Sequence, residues 1–416
     1  MVQTGQALGI TKAIRIGDRE VSPKALSNAA LRTVTRFCHT ADEKITCHHV
    51  PPLRGLETND LHAQLAAHVV PFTHKAWSDL QSPDDGAVRF DHDHYLKIWA
   101  LTRPRIEADF LLLDEAQDTN PVVEQVFLAQ RDHAQLVMVG DSAQAIHHWR
   151  GAKDVMTGFD GAHLALSQSF RFGPDLAEEA NRWLHLADAP IRLTGTPAVP
   201  TELGPVTSPD AVLCRTNVGA MAQVMILMAA GYRVALAGGG DSLRALAQAA
   251  RDLKEGRRTH HPELILFPSW GDLQDYAAHD PAGRDVQPLV NLVDPHGTDA
   301  ILTAVGRLVS EPQAQVTVST AHKAKGREWP RVLIADDFAR TTAHDTSDAD
   351  SLPVPPDPID DAEARLAYVA VTRTRHRLDL GGLSWIHDHP DGRRTLPRSP
   401  SRNGVPEGEH LPGPLG

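Results

Sequence analysis

Ala108-Asp-Phe-Leu-Leu-Leu-Asp114-Glu115-Ala-Gln-Asp118 and, about twenty residues on, Gln135-Leu-Val-Met-Val-Gly140-Asp141-Ser-Ala-Gln144 decide the fold of this chain. Each opens with an apolar run of strand length and closes in acid. Between them Pro121–Arg131 reads as a helix. Pro121 can start it, because a first-turn proline gives up no internal hydrogen bond. Strand, helix, strand predicts a parallel sheet covered on both faces. The same grammar returns later. Ala211–Cys214 leads into a helical Val218–Ala230, and Tyr232–Ala237 is a strand before the helical Ser242–Leu253. Val316–Thr320 and Arg331–Ala335 are further strands, with Asp361–Thr374 a helix after them. A second α/β domain is expected here, interrupted by a polar, Trp-containing insert around residues 255–300. Ahead of Ala108, helices are expected at Ala25–Cys38 and Leu61–His68. Ala343–Pro358 reads as an acidic surface loop, and 387–416 as a disordered tail rich in Pro, Gly and Arg.

The 416 residues suffice for two or three domains, and 41% hydrophobic with 23% charged residues excludes wholesale disorder. Cys38, Cys47 and Cys214 are too few and too scattered for a disulfide framework, so a reducing cytoplasm is expected. No apolar run approaches a membrane span, and no signal peptide opens the sequence. A net charge of −12 argues against a protein coated in basic charge but leaves room for a local basic groove.

Nucleotide hydrolysis needs one carboxylate on Mg²⁺ and a second to orient and deprotonate water. Asp114 and Glu115, at the carboxyl end of a parallel strand, would face the crevice where such sheets bind ligands. Gln144 lies just past the next strand, where an amide can bond both a γ-phosphate and a water. Trp149, flanked by His147 and Arg150, offers a stacking face beside positive charge, as a sequence-tolerant grip on single-stranded bases requires. Taken singly, Trp149 would read as core. Arg171 sits between Phe170 and Phe172, and Arg373 ends the last helix. Lone arginines usually sit on solvated faces, but two supplied from a second α/β domain can stabilise transferred phosphoryl charge.

Five blocks in order carry a resemblance: DEAQD (114–118), VGDSAQAIHHWRGA (139–152), LSQSFRFG (166–173), VSTAHKAKGREW (318–329) and EARLAYVAVTRTR (363–375). Together they resemble the superfamily 1 helicases of the UvrD/Rep type, in the bacterial UvrD-like branch related to the F-box DNA helicases. RFDHDHYLKIW (89–99) fits that branch too, and the likeness covers roughly residues 85–385. It implies two RecA-like, P-loop NTPase-type parallel-sheet domains with helical inserts. The first, 1–160, would be incomplete at its amino terminus and carry a helical subdomain at about 20–100. The second would span 161–386.

The resemblance also implies ATP and Mg²⁺, with Asp114 holding the metal and Glu115 activating water. Gln144 would sense the γ-phosphate and link it to DNA, and Arg171 and Arg373 would be arginine fingers. Glu328 would contact the ribose. Trp149, His147, Arg150, His322 and Lys323 would meet DNA, His147 standing where the family usually has tyrosine. The partner would be single-stranded DNA or DNA with a 3′ single-stranded tail, travelled 3′ to 5′.

One block is missing. The phosphate loop Gly-x-x-x-x-Gly-Lys-Ser/Thr cradles phosphates with backbone amides and a lysine, yet no Gly-Lys dipeptide occurs in these 416 residues. Gly5–Lys12 has its lysine three places past the glycine, and Gly238-Gly239-Gly240 has none and reads as a strand-to-helix turn. Two expectations follow: a helicase shortened before its phosphate loop, or a catalytically silent DNA-binding or regulatory module that keeps the helicase fold. RNA is a third possible strand, since stacking and phosphate contacts separate the sugars poorly. Cys47-His48-His49 and Asp91-His92-Asp93-His94 lack paired ligand sets at zinc spacing, so neither is read as a metal site.

Overall fold

The computed structural model describes residues 2–53, 55–82, 86–146, 154–265, 267–279, 286–339 and 358–392. The acidic loop 343–358 up to residue 357, and 393–416 of the tail, lie outside them. Residues 387–392, expected to be disordered, are instead structured, with His387 paired to Glu179 at 3.0 Å and His389 buried. The chain forms two compact units, Met1–Ala162 and His163–Gly416.

The first unit begins with α1 (Val2–Ala7) and a small antiparallel hairpin, β1 (Ile14–Ile16) and β2 (Arg19–Val21). Three helices follow: α2 (Pro23–Cys38), α3 (Asn59–Leu80) and α4 (His92–Leu101). Ser22 caps α2 by accepting the Ala25 N–H, and Pro23 takes the first turn. Buried Leu26, Ala29, Ala30, Thr33, Val34 and Phe37 recur at three- and four-residue spacing and make the apolar stripe that packs on α3.

The helix expected at Leu61–His68 runs on through Pro71 to Leu80. Proline there removes one backbone bond. The buried stripe Leu65, Ala66, Val69, Thr73, Ala76 and Leu80 nevertheless continues in phase, and Thr73 Oγ1 donates to the Val69 carbonyl at 3.0 Å. Packing outweighs the local break. Lys97 of α4 is 1% exposed. Its ammonium donates to the Thr40 and Asp42 carbonyls at 2.7 and 2.6 Å and lies 4.4 Å from the Phe37 ring centre. Burial lowers its pKa.

Then β3 (Phe110–Leu113), α5 (Pro121–Leu128) and β4 (Gln135–Met138) form the expected strand–helix–strand, with β3 and β4 parallel and Leu113 opposite Met138. The expected cover on both faces is not seen among the described residues, Phe110 and Leu112 being 62% and 73% exposed. The helix stops three residues earlier than expected.

The second unit opens with β5 (Gln168–Ser169), α6 (Pro174–Leu186) and β6 (Thr194–Gly195), β5 and β6 being parallel. There follow β7 (Glu202–Leu203), β8 (Ala211–Cys214), α7 (Asn217–Ala229), β9 (Val234–Leu236), α8 (Asp241–Lys254), α9 (Trp270–His279) and α10 (Gln287–Gly306). The last elements are β10 (Val316–Thr320), α11 (Ala321–Ala324), β11 (Trp329–Ile334), α12 (Asp361–Val371) and β12 (Thr374–Asp379). Six strands make one parallel sheet in the order β7-β12-β11-β8-β10-β9. The chain is thus of mixed α/β class, as expected, with a six-stranded parallel sheet in the second unit.

Every residue of β8 and β10 is buried. Val212, Cys214, Val316 and Val318 join the core built by α7, α8, α9 and α10. The stretch read as a polar insert differs from expectation. Its Trp270, Leu273, Leu289, Val290, Leu292 and Val293 belong to that same core, and α10 breaks at Gly297 (φ 75°), two residues past Pro295. On α6, Trp183 is fully buried and meets Trp385 edge-on at 5.8 Å.

Asp337, just past β11, pins the carboxyl end of the sheet. It accepts the Arg215 and Thr216 amides at 2.9 Å each and the Thr216 hydroxyl at 3.0 Å. Burial pushes its carboxyl up against the pull of those donors. Gly219 is required at the start of α7, since a Cβ there would collide with the Asp337 carboxylate. Asp337→Ala should strand these donors and lower stability by about 1–3 kcal/mol in urea unfolding. An unmoved midpoint would mean that the turn holds itself.

Candidate functional site

In the first unit, Asp114 is the first residue beyond β3, with an exposed side chain whose Oδ1 accepts the Glu115 N–H at 2.9 Å. Glu115 is exposed and adopts a left-handed backbone (φ 51°, ψ 39°). Non-glycine residues hold that conformation only where their surroundings over-determine it, and such residues cluster at functional sites. The next turn is tied to the neighbouring strand end: the Ala116 N–H donates to the Val139 carbonyl at 3.0 Å, and the Val139 N–H to that of Leu113 at 2.8 Å.

Beyond β4, Asp141 caps a single 3-10 turn, Ser142–Gln144, accepting the Ala143 N–H at 3.0 Å. Its other oxygen accepts Gln144 Nε2 at 2.8 Å. Parallel pairing therefore delivers Asp114, Glu115 and Gln144 to one end of the sheet. Between the two loops lies Gln117, which donates to Glu115 and accepts the Asp141 N–H at 3.0 Å. Sequence reading gave Gln117 no part. Its signal was an amide between two acids in Asp114–Asp118, which spacing alone does not distinguish from a solvated loop. His147, Trp149 and Arg150 lie outside the described residues.

In the second unit the fold gathers Arg171, Glu328, Arg373 and Arg375. Arg171 Nε donates to Glu328 Oε2 at 2.6 Å and Nη1 to the Thr372 carbonyl at 3.0 Å, leaving the side chain 32% exposed. Glu328 also faces Arg375 Nη1 at 3.5 Å. Arg375, which sequence reading passed over, sits one strand position past Thr374. Of the aromatics flanking Arg171 in sequence, Phe172 is buried, whereas Phe170 is 78% exposed.

Arg373 points inward at 2% exposure. Its Nε donates to the Val369 carbonyl at 2.9 Å and Nη2 to Thr372 Oγ1 at 2.8 Å, so it satisfies the carboxyl end of α12. In this conformation it is a packing cation. His322 and Lys323 lie half-buried on α11 at the carboxyl end of β10, where Lys323 runs beside Gly238 of the glycine turn.

Two histidine clusters do structural work. Asp91 caps α4 and His94 returns the bond to the Asp91 N–H at 3.1 Å, while Asp93 pairs with His39 at 2.8 Å. Asp42 accepts from His48 and His49 at 2.8 and 3.0 Å, a trio of metal-ligand composition that the fold assembles from a six-residue separation. The Thr46 N–H donates to His49 Nδ1 at 3.0 Å. Nδ1 also lies 3.3 Å from the Thr46 carbonyl, and Nε2 faces Asp42. Burial lowers the His49 pKa, which keeps the ring neutral. The trio is satisfied as a hydrogen-bonded corner.

Residues 88–157 match the UvrD/REP helicase N-terminal domain and residues 298–383 the UvrD-like helicase C-terminal domain. The chain is 26% identical over 389 residues to the F-box DNA helicase protein 1 of Schizosaccharomyces pombe, covering 86% of this chain and 43% of that protein. It is 26% identical over 384 residues to the F-box DNA helicase 1 of Gallus gallus, covering 83% and 36%. To the ATP-dependent DNA helicase UvrD2 of Mycobacterium tuberculosis (strain ATCC 25618 / H37Rv) it is 27% identical over 426 residues, covering 82% and 57%. The matched part is therefore less than two thirds of each of these relatives.

Gly140 is the tightest point of the site, since a Cβ there would collide with Gln117 Oε1 and press on the Ala116 amide. Gly140→Ala is expected to destabilise the first unit by about 1–3 kcal/mol, as overpacking does. A thermal unfolding curve superimposable on wild type would mean that Gln117 leaves that space open.

Proposed function

Because this chain belongs to the UvrD/Rep-like superfamily 1 helicases, we propose that it is the ATP-hydrolysing part of a DNA helicase or translocase that moves 3′ to 5′ along single-stranded DNA, in repair or recombination. The observation that carries the reading is the arrival of an exposed acidic pair, Asp114 and Glu115, and of the Gln144 loop at the carboxyl ends of two adjacent parallel strands. Ligands of open α/β sheets bind at that end.

The residues then take the following parts. Asp114, exposed and next to the strand end, holds Mg²⁺, which supplies charge neutralisation to the phosphates. Glu115 orients and deprotonates the attacking water. Gln144 senses the γ-phosphate. Arg171 supplies positive charge to the transferred phosphoryl group, and does so by exchanging Glu328 for phosphate oxygens. Arg373 joins it only after leaving the carbonyls that hold it. Glu328 reaches a ribose once it is free of Arg171. His147, Trp149, Arg150, His322 and Lys323 hold the strand by stacking and charge. Among the described residues no helix is long and apolar enough to cross a membrane, and the three cysteines are free thiols. The free thiols support a reducing, cytoplasmic place for this chain.

A second reading stands beside it, a silent DNA-binding or regulatory module with the helicase fold. ATP hydrolysis by this chain, with and without single-stranded DNA, beside the same chain lengthened by upstream in-frame codons, separates the two. Stimulated turnover in either supports the helicase; silence in both with DNA binding retained supports the module. RNA of the same sequence belongs in the same assay, and stimulation equal to that by DNA would remove the DNA preference. Unwinding of 3′-tailed but not 5′-tailed duplexes is expected.

Where turnover is seen, Glu115→Gln should lower it by about 10²- to 10⁴-fold while ATP-dependent DNA binding survives. Undiminished turnover would take Glu115 out of its role. Trp149→Ala should weaken single-strand binding by about 1–3 kcal/mol, measured by fluorescence anisotropy. Unchanged affinity in a folded variant would return Trp149 to the core.

A further inference from the structure

The two loops of the first unit are joined by a buried amide to which the preceding mechanism gives no task. Gln117 is 1% exposed. Its Oε1 accepts the Asp141 backbone N–H at 3.0 Å, and its Nε2 donates to Glu115 Oε2 at 2.6 Å. Asp141 in turn accepts Gln144 Nε2 at 2.8 Å. The bonds run unbroken from Gln144 through Asp141 and Gln117 to Glu115.

The chemistry of each link fits only an amide of this length. A glutamine offers an acceptor to a backbone N–H and a donor to a carboxylate at once. Glutamate would keep the acceptor but set a second negative charge against Glu115. Asparagine is one methylene short, and methionine offers neither bond. The Cβ-free position at Gly140 leaves room for Oε1 to reach Asp141. Glu115, held left-handed, is the residue on this path that most needs outside support.

We propose that Gln117 is a positioning residue: it aims the Glu115 carboxylate and couples it to the Gln144 loop, so that a shift of that loop alters the aim of Glu115. This rests on the reading of Glu115 as the water-orienting base. The Asp141 N–H anchors the amide at one end. If the Gln144 loop withdraws, the anchor is lost and Nε2 is no longer held toward Glu115. In sequence the same loop leads within five residues to Trp149.

The test uses the full-length gene product and three variants: Gln117→Met, Gln117→Glu and Glu115→Gln. With Gln117→Met, kcat for ATP should fall by about 10- to 100-fold while KM stays within about twofold, the mark of an interaction used in the transition state rather than in binding. Gln117→Glu keeps the bond to Asp141 but makes the two carboxylates share a proton. The acid limb of its pH–kcat profile should move up by at least about one pH unit. Wild-type kcat and an unmoved limb in Gln117→Glu, with Glu115→Gln inactive, would overturn the proposal and leave the Glu115 role standing. A fully active Glu115→Gln would instead overturn the role of Glu115, and the proposal with it.

A second measurement needs no turnover. By amide hydrogen exchange in NMR, the Asp141 N–H should exchange at least about tenfold faster in Gln117→Met. The Ala116 N–H, bonded to the Val139 carbonyl, should keep its rate and reports that the unit is folded. Equal Asp141 rates in wild type and Gln117→Met would overturn the coupling.

Discussion

The parallel pairing of β3 with β4, Leu113 opposite Met138, is the constraint on which the chemistry of the first unit depends. A parallel register puts both carboxyl ends on the same side, so the acidic turn and the Gln144 turn emerge together. Side chains alone could not bring them there, since the two turns are about thirty residues apart in sequence. The bonds from Ala116 to Val139 and from Val139 to Leu113 extend the ladder past the last regular strand residues. They carry the precision of the sheet into the turns themselves. What remains for side chains is the final aim, and Asp141 and Gln117 are placed to supply it.

In the second unit the corresponding pressure is electrostatic. Arg171, Arg373 and Arg375 converge near the carboxyl end of α12, and like charges that close need an acceptor. Glu328 meets Arg171 and Arg375, while Arg373 donates to the Val369 carbonyl and the Thr372 hydroxyl at the end of α12. A partial negative charge at a helix carboxyl end favours this use of a cation. The arrangement stores positive charge in a neutralised form. An anionic ligand that displaced Glu328 would find Arg171 already oriented by the Thr372 carbonyl.

The sequence was most legible where one local force dominates. Ala211–Cys214 and Val316–Thr320 are strands with the expected ends, the first a continuous apolar run and the second rich in β-branched Val and Thr, and both fit a sheet covered on both faces. It was less legible where distant packing overrides local grammar. The helix expected at Leu61–His68 ends short of Pro71, yet the stripe from Leu65 to Leu80 carries α3 through it. Residues 255–300 looked polar because their apolar positions are spaced for helices that bury only one side. In the candidate site, Asp114, Glu115 and Arg171 stood out by type and position. Gln117 and Arg375 did not, since each takes its meaning from a partner far away in sequence.

Gln117 has a counterpart at the opposite end of the same strand pair. Gln130, also 1% exposed, donates to the Pro104 and Val126 carbonyls at 2.9 Å each and accepts the Ile106 N–H at 2.8 Å. One buried amide thus ties the approach to β3 to the end of α5, and the other ties the two turns that leave β3 and β4. Two strands alone make a weak sheet, since independent stability usually needs three or a packed layer. Buried amides that are fully bonded add rigidity where pairing is sparse. An unbonded amide in the same place would cost more than it gives. The strand pair is therefore exacting about both glutamines, and the one at the carboxyl end stands between the two residues to which hydrolysis is assigned.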